Sequence, residues 1–276
     1  MKRKLVSVCI PVYNGARTIA GTLESVLGQT YKNMEIIIVD NHSQDHTIEI
    51  VKKYKDDRIR IYRNDENLGL AGNLNQCLKY ARGSYIQYVC ADDILYPECI
   101  SRKVWMMEKD ERISIVFSAS EVIGDTGKVL MTRRPYKKSC IVDGTGLAGK
   151  SYLEKNLFGE PSNVLFRAQL LEQTGKFSAD LCYTIDWDMW LRLSCTGLAG
   201  YVDDVLMQYR ISRENVTSSI RFRALLEDDR TMMEKVRSGG YLKTGWMADA
   251  VHHMVFMLRA LARMLYMRIR CRGGVS

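Results

Sequence analysis

Apolar runs and helical periodicities alternate from the start of the chain. β-rich runs lie at Leu5–Ile10, Glu35–Val39, Ile59–Tyr62, Tyr85–Val89 and Ser114–Phe117. Between them, apolar positions recur at helical spacing over Thr18–Leu27, Thr47–Tyr54, Leu70–Ala81 and Pro97–Glu108. In the first of these helices Ile19, Leu23, Val26 and Leu27 share a face. Continuous apolar strands alternating with helices predict an α/β fold, a mostly parallel central sheet flanked by helices. Past Phe117 the pattern changes. "EVIGDTGKVL" predicts a hairpin turning at Asp125–Gly127, "PSNVLFR" and "VLMQYR" predict strands, and "DWDMWLRL" starts an amphipathic helix. No repeat, low-complexity segment or linker interrupts the chain, which predicts a single domain with a C-terminal helical tail.

Ligands of such sheets bind outside the carboxyl ends of the strands. Those ends are polar here: "PVYNGA", "DNHSQDHT", "NDENLGLAGNLN" and "CADD" follow the first four strands. On one buried rim they would be a poor choice for stability; together they make a cleft. In the last of them Asp92 and Asp93 stand side by side after an apolar run. Either they are a solvated loop with a helix cap, or a cation sits between them. Asp40 reads as a ligand-binding strand end or as a cap for the next helix. Asp186 reads as a helix N-cap or as a working carboxylate.

Composition narrows the partners. Of 276 residues 46% are hydrophobic, ample for a core, and 40 basic against 32 acidic residues give a net charge of +8. That charge favours nucleotides, nucleic acid or acidic membranes, but no interleaved aromatic–basic pattern supports nucleic acid. The eight cysteines are scattered without Cys-x-x-Cys, and His42, His46, His252 and His253 lack metal-site spacing. Zinc is therefore not expected, and reduced thiols in a cytoplasmic protein are. "MKRKLVSVCIPVYN" reads as a first buried strand, because its apolar run is short and Pro11 stops it. No uncharged stretch is long enough to span a bilayer. In the tail, Met254, Leu258, Leu261 and Leu265 fall on one helical face, and Arg259, Arg263 and Arg270 on another. This is either a helix that binds an anionic membrane surface or one that packs on the domain with a basic edge.

"GTGLAGKS", Gly144–Ser151, satisfies the phosphate-loop pattern, with Lys150 and Ser151 placed for a terminal phosphate and Mg²⁺. The alternative is a glycine-rich loop with a helix starting at Ser151. The preceding "CIV" is weak for a central strand, and no apolar strand ending in a lone Asp follows at a suitable distance.

The run "VSVCIPVYNGARTIAGTLESVLGQTYKNMEIIIVDNHSQDHT" resembles the opening of family 2 glycosyltransferases with the GT-A fold. The resemblance continues through "NLGLAGNLNQCLKYARGSYIQYVCADD", "PSNVLFR" and "DWDMWLRL" to "YRISRENVTSS". It implies a domain over 1–215, with a nucleotide-sugar-binding half (1–117) and an acceptor-side half (118–215), followed by a helical region over 216–276. Pro11, Val12 and Tyr13, with Asn14, would line the nucleotide base, and Asp40 would accept a hydrogen bond from its imide. Asn41, Ser43 and Asp45 would shape the loop beneath the nucleoside, and Asn67, Gly69 and Asn73 would flank the ribose and diphosphate. Asp92 and Asp93 would form the acidic motif for Mn²⁺ or Mg²⁺, with Asp92 also on the donor. Asp186 matches the family's catalytic base, and Trp187 and Trp190 beside it would make its surroundings apolar or stack on an acceptor sugar. Two departures loosen the metal expectation: Cys90 stands where many relatives have a further aspartate, and Ser212 where many have a histidine. The implied activity is inverting transfer from a UDP- or dTDP-sugar to a saccharide acceptor, a lipid-linked bacterial surface glycan, at the inner face of the membrane. The other readings are a nucleotide hydrolase or kinase built on Gly144–Ser151 and a catalytically silent sugar-nucleotide-binding module.

Overall fold

Seven consecutive buried residues form strand β1, Val6–Val12, and their side chains divide between two cores. Val6, Val8, Ile10 and Val12 meet helices α1 (Ile19–Leu27) and α4 (Cys99–Met107), while Cys9 faces α3 (Gly69–Tyr80) on the other side. Burial on both faces is why the strands lack alternation. A computed structural model describes residues 3–212 and 222–272, with side chains through residue 262. In it β2 (Met34–Asp40), β3 (Ile59–Arg63) and β4 (Tyr85–Tyr88) run parallel to β1 in the order β3-β2-β1-β4, with the short α2 (Thr47–Val51) after β2.

Beyond β4 the sheet is mixed. β9 (Val164–Arg167) lies antiparallel between β4 and β6 (Ile113–Ile123), and β6 pairs in parallel with β10 (Leu198–Arg210). β5 (Ile94–Leu95) and β8 (Cys140–Asp143) add antiparallel to β10, and β7 (Val129–Arg133) forms the expected hairpin with β6. β6 runs six residues past the apolar stretch that marks it in the sequence. Its polar extension is buried because the Ser118 hydroxyl donates to Asn163 Oδ1 (2.7 Å), leaving no unpaired group.

The phosphate-loop reading of Gly144–Ser151 is overturned, and so is a helix start at Ser151. The segment is the body of α5 (Gly144–Glu154), which begins where the Asp143 carboxylate accepts the Gly146 N–H. Its first glycine answers to packing: a Cβ on Gly144 would lie 2.0 Å from the Ser194 carbonyl oxygen. Lys150 points to the Tyr136 ring, 5.9 Å from its centroid, and Ser151 is buried.

Among the described residues α6 (Leu171–Thr174), α7 (Ile185–Ser194) and α8 (Phe222–Gly239) follow α5. The expected boundary at 215/216 lies outside the described residues. The last helix, α9 (Trp246–Arg272), packs on α5 and α8 through an unusually polar contact. His252 is buried with Nδ1 against the Tyr152 carbonyl (2.6 Å) and Nε2 against Asp229 Oδ1 (2.8 Å), while His253 meets Asp229 Oδ2. The Tyr152 hydroxyl donates to Asp249 (2.7 Å), and Arg237 binds the other oxygen of that carboxylate. The seven cysteines with described side chains are free thiols.

Asp229 is the buried carboxylate on which His252 and His253 both close, and removing it leaves His252 buried without that partner. Asp229→Ala should cost about 3 kcal/mol in urea unfolding and open the 240–262 segment to limited proteolysis. An unchanged unfolding midpoint would show that the tail is held by its apolar contacts alone.

Candidate active site

The loops after β1 and β2 are knotted together by short polar side chains. Asn14, held at φ +50°, donates its N–H to Ser43 Oγ (2.9 Å) and accepts the Gln44 N–H on Oδ1 (2.8 Å). The Gly15 N–H meets Thr47 Oγ1 (2.8 Å), and the Ala16 N–H meets Asp45 Oδ2 (3.0 Å). Burial would raise the Asp45 carboxyl, but hydrogen bonds from Thr47 and Ala16 outweigh it and hold it below the usual range. A second knot consists of asparagines. Asn41 donates to Asn67 Oδ1 (2.8 Å) and accepts from Asn64 (2.9 Å) and the Leu68 N–H (2.9 Å). Asn73 donates to the Val39 carbonyl (3.1 Å) and also accepts from Asn64 (3.1 Å). Asn41 and Asn73 are buried and committed to this network, so they shape the rim from beneath. Pro11 and Val12 are buried in β1 itself, whereas Tyr13 is 49% exposed. Asn67 and Gly69, the latter at φ +70°, are exposed at the mouth of α3.

Asp40 ends β2 opposite Val12, and its side chain is wholly covered. Both its oxygens accept the Ser43 N–H (3.2 Å each), and the half-exposed Arg63 lies across it at 3.2 Å. Arg63 and the Ser43 N–H thus occupy the Asp40 carboxylate. The sequence pattern held no sign of this cover.

Asp92 and Asp93 are separated by environment. Asp93 is fully buried; Oδ1 accepts the Arg210 N–H (3.0 Å) and Oδ2 the Ser162 hydroxyl, which in turn accepts the Cys90 N–H (2.8 Å). Burial, then the neighbouring Asp92 charge, pushes the Asp93 carboxyl well up. Asp92 is half-buried and raised by desolvation, with Arg210 and Arg17 drawing it back. Two adjacent carboxylates short of solvent suit a hard divalent cation: the donors are oxygens, and each oxygen keeps a lone pair beyond its protein bond. The Cys90 thiol, pushed up by burial and by both aspartates, stays out of such a donor set. Among the described residues no three His, Cys, Asp or Glu side chains converge as a metal site. Phosphate oxygens and waters would therefore complete a shell begun by Asp92 and Asp93.

Asp186 sits in the first turn of α7, within electrostatic reach of Cys90, with Asn156 Nδ2 3.4 Å from its Oδ2. Burial, then the charge of Glu160, raises its carboxyl to about 7. The loop leading into α7 is held from a distance: buried Asp228 of α8 accepts the N–H groups of Cys182, Tyr183 and Thr184 and the Thr184 hydroxyl. Glu160 is ion-paired with Arg133 of β7, and its Oε2 is buried without a partner. The sequence pattern gives no role to Arg133, Ser162, Arg210 or Asp228. Tertiary packing of strands, a turn and a helix brings them to the site, and no local spacing marks them.

The tryptophans correct an expectation. Trp190 is completely buried, its ring against Phe166 (5.9 Å) and Phe177 (6.0 Å), and cannot stack on a sugar. Trp187 is 7% exposed and donates its Nε1–H to Ser151 Oγ (2.9 Å). Both are core residues, and neither meets an acceptor. Asp188, on another face of α7, is buried in an ion pair with Arg192 (2.7 Å).

The family model for glycosyl transferase family 2 matches residues 7–175, which carry both knots, the aspartate pair and Glu160. The chain belongs to glycosyl transferase family 2. An uncharacterized glycosyltransferase of Methanocaldococcus jannaschii is 30% identical over 254 residues, 89% of this chain and 81% of that one. One of Rickettsia prowazekii is 31% identical, over 78% of this chain and 66% of its own length. S. aureus TarS in complex with UDP-GlcNAc superimposes with a TM-score of 0.74 at 18% identity, covering 93% of this glycosyltransferase and 72% of TarS. A mannosyltransferase of Pyrobaculum calidifontis, in complex with GDP-Man and Mn²⁺, gives 0.61 at 18% identity, covering 100% and 77%. These likenesses establish the GT-A fold.

The Asp186 carboxyl should titrate at about 7 when followed by carboxyl-carbon NMR. Glu160→Gln removes a negative charge that disfavours ionisation, so the midpoint should fall in that variant. An unmoved midpoint would mean that burial alone sets it.

Proposed function

We propose that this glycosyltransferase moves one sugar, with inversion, from a UDP- or dTDP-sugar to a saccharide acceptor, a lipid-linked bacterial surface glycan. The observation that carries the reading is the closeness of two acidic sites: Glu160 raises both Asp93 of the aspartate pair, suited to a cation and a diphosphate, and Asp186, a single raised carboxyl. TarS and the mannosyltransferase, whose folds this chain shares, were each solved with a sugar nucleotide. Their nucleotides differ, so the uridine or thymidine assignment here rests on Asp40.

In this reading Tyr13 lies against the base and Asp40 accepts its imide hydrogen once Arg63 has swung off. Asp92 and Asp93 would hold Mn²⁺ or Mg²⁺, which supplies charge neutralisation for the departing diphosphate. Arg210 and Arg17, close enough to draw the Asp92 carboxyl down, add positive charge on the same side. Asp186 takes the proton from the attacking acceptor hydroxyl, and a pKa near 7 suits a base that must hold a proton yet release it. Glu160, fixed by Arg133, keeps that pKa high. With one base and no carboxylate assigned as nucleophile, the sugar is displaced once and its anomeric configuration inverts.

Two experiments test the reading. A hydrogen bond to a charged acceptor is worth about 1.5–3 kcal/mol, so Asp40→Ala should weaken UDP binding at least roughly tenfold by calorimetry. Equal affinity in the two proteins would remove Asp40 from the donor site. Asp186→Asn should bind UDP normally while transfer falls about 10²–10⁴-fold, and the wild-type product should carry the anomeric configuration opposite to the donor. A retained configuration refutes single displacement; wild-type turnover in the mutant reduces Asp186 to a helix-start residue; no transfer by the wild-type protein leaves a silent binding module.

A further inference from the structure

Helix α9 is built inside out. The face it turns to the domain carries Asp249 and His252 together with Phe256 and Ala260, all buried. The face it turns to solvent carries Trp246, Met247, Val251, Met254, Leu258 and Leu261, from 42% to 77% exposed. Among the described residues eight other large apolar side chains are exposed, and no other element carries more than three of them (Val129, Leu130 and Met131 of β7). Here six of them follow one another along a single helix, and a stripe of that kind marks a surface that meets something apolar.

Charge decides what that is. From Gly245 to the end the chain has five arginines (259, 263, 268, 270 and 272) and one acidic residue, Asp249. Asp249 is buried and paired with Arg237, so it offsets nothing outside. A second copy seated on the stripe would bring five more arginines against these five, with no exposed carboxylate on the segment to meet them. A bilayer rich in anionic phospholipid supplies both halves of the complement, acyl chains for the stripe and head-group charge for the arginines. No described helix is long and apolar enough to cross a membrane.

We infer that α9 lies in the surface of an anionic membrane, its 246–261 stripe in the head-group boundary and the net positive charge of the segment attracted by the lipid head groups. The domain is held to the other side of the helix by the Asp229–His252 and Asp249–Tyr152 contacts. The inference stands apart from the sugar-transfer reading, since no donor or acceptor residue enters it.

Vesicle flotation of the full chain tests it. The protein should float with phosphatidylglycerol-containing vesicles roughly tenfold or more better than with phosphatidylcholine alone, and high salt should abolish the difference. Leu258→Glu with Leu261→Glu, both at exposed positions, should keep the circular dichroism spectrum and thermal midpoint and stay at the bottom of the gradient. Arg259→Gln with Arg263→Gln should lose the preference for anionic lipid. Failure of the native chain to float, flotation that the glutamates leave untouched, or a lipid-free dimer that the glutamates dissociate would overturn the inference; the last would make a second copy the occupant.

Discussion

A buried carboxylate at the turn after β4 joins the two halves of the sheet. Asp93 closes the parallel half, and its oxygens are taken by Ser162, just ahead of β9, and by the Arg210 N–H at the end of β10. A group short of water and beside a second carboxylate persists only where donors or a cation offset the charge. The protein supplies two donors and leaves its neighbour Asp92 half-open. The same aspartate pair thus sets the geometry of the mixed half and the electrostatics of the cleft, and the placement of Arg210, β5 and the Ser162 turn follows from it.

Much of this was legible along the chain. The four parallel strands and their helices can be read because burial on both faces writes itself as uninterrupted apolar runs. The aspartates at strand ends can be read because open sheets bind ligands there. Other features have no local trace. The two-residue β5 exists only through its pairing with β10. Asn41, Asn67 and Asn73 read as donor-side residues in a polar loop, yet together with Asn64 their amides bond mainly to each other and to strand carbonyls. Trp187 and Trp190 flank a carboxylate in sequence, but successive helical positions point in different directions, and both rings went to the core. The glycine-rich "GTGLAGKS" pattern misleads for the same reason: spacing records residue types, and only the carbonyl beside Gly144 shows why one of them is glycine.

The loops after β1, β2 and β3 are held by hydrogen bonds among their own side chains and amides. Asp186 depends instead on other elements: Glu160, which raises its carboxyl, is paired with Arg133 of the hairpin, and the turn before α7 is held by Asp228 of α8.

The Asp228 contact bears on how the protein comes to be made. Synthesis proceeds from the amino end, and domains fold as their partners emerge. The whole parallel half, with its loops interlocked, is complete long before α8 leaves the ribosome. Until Asp228 arrives, the N–H groups of Cys182, Tyr183 and Thr184 have lost their shared acceptor, and the turn that aims Asp186 has nothing to close on. A nascent chain stopped ahead of α8 would thus hold the parallel half complete, with its loops interlocked, while the turn before Asp186 still lacked its acceptor.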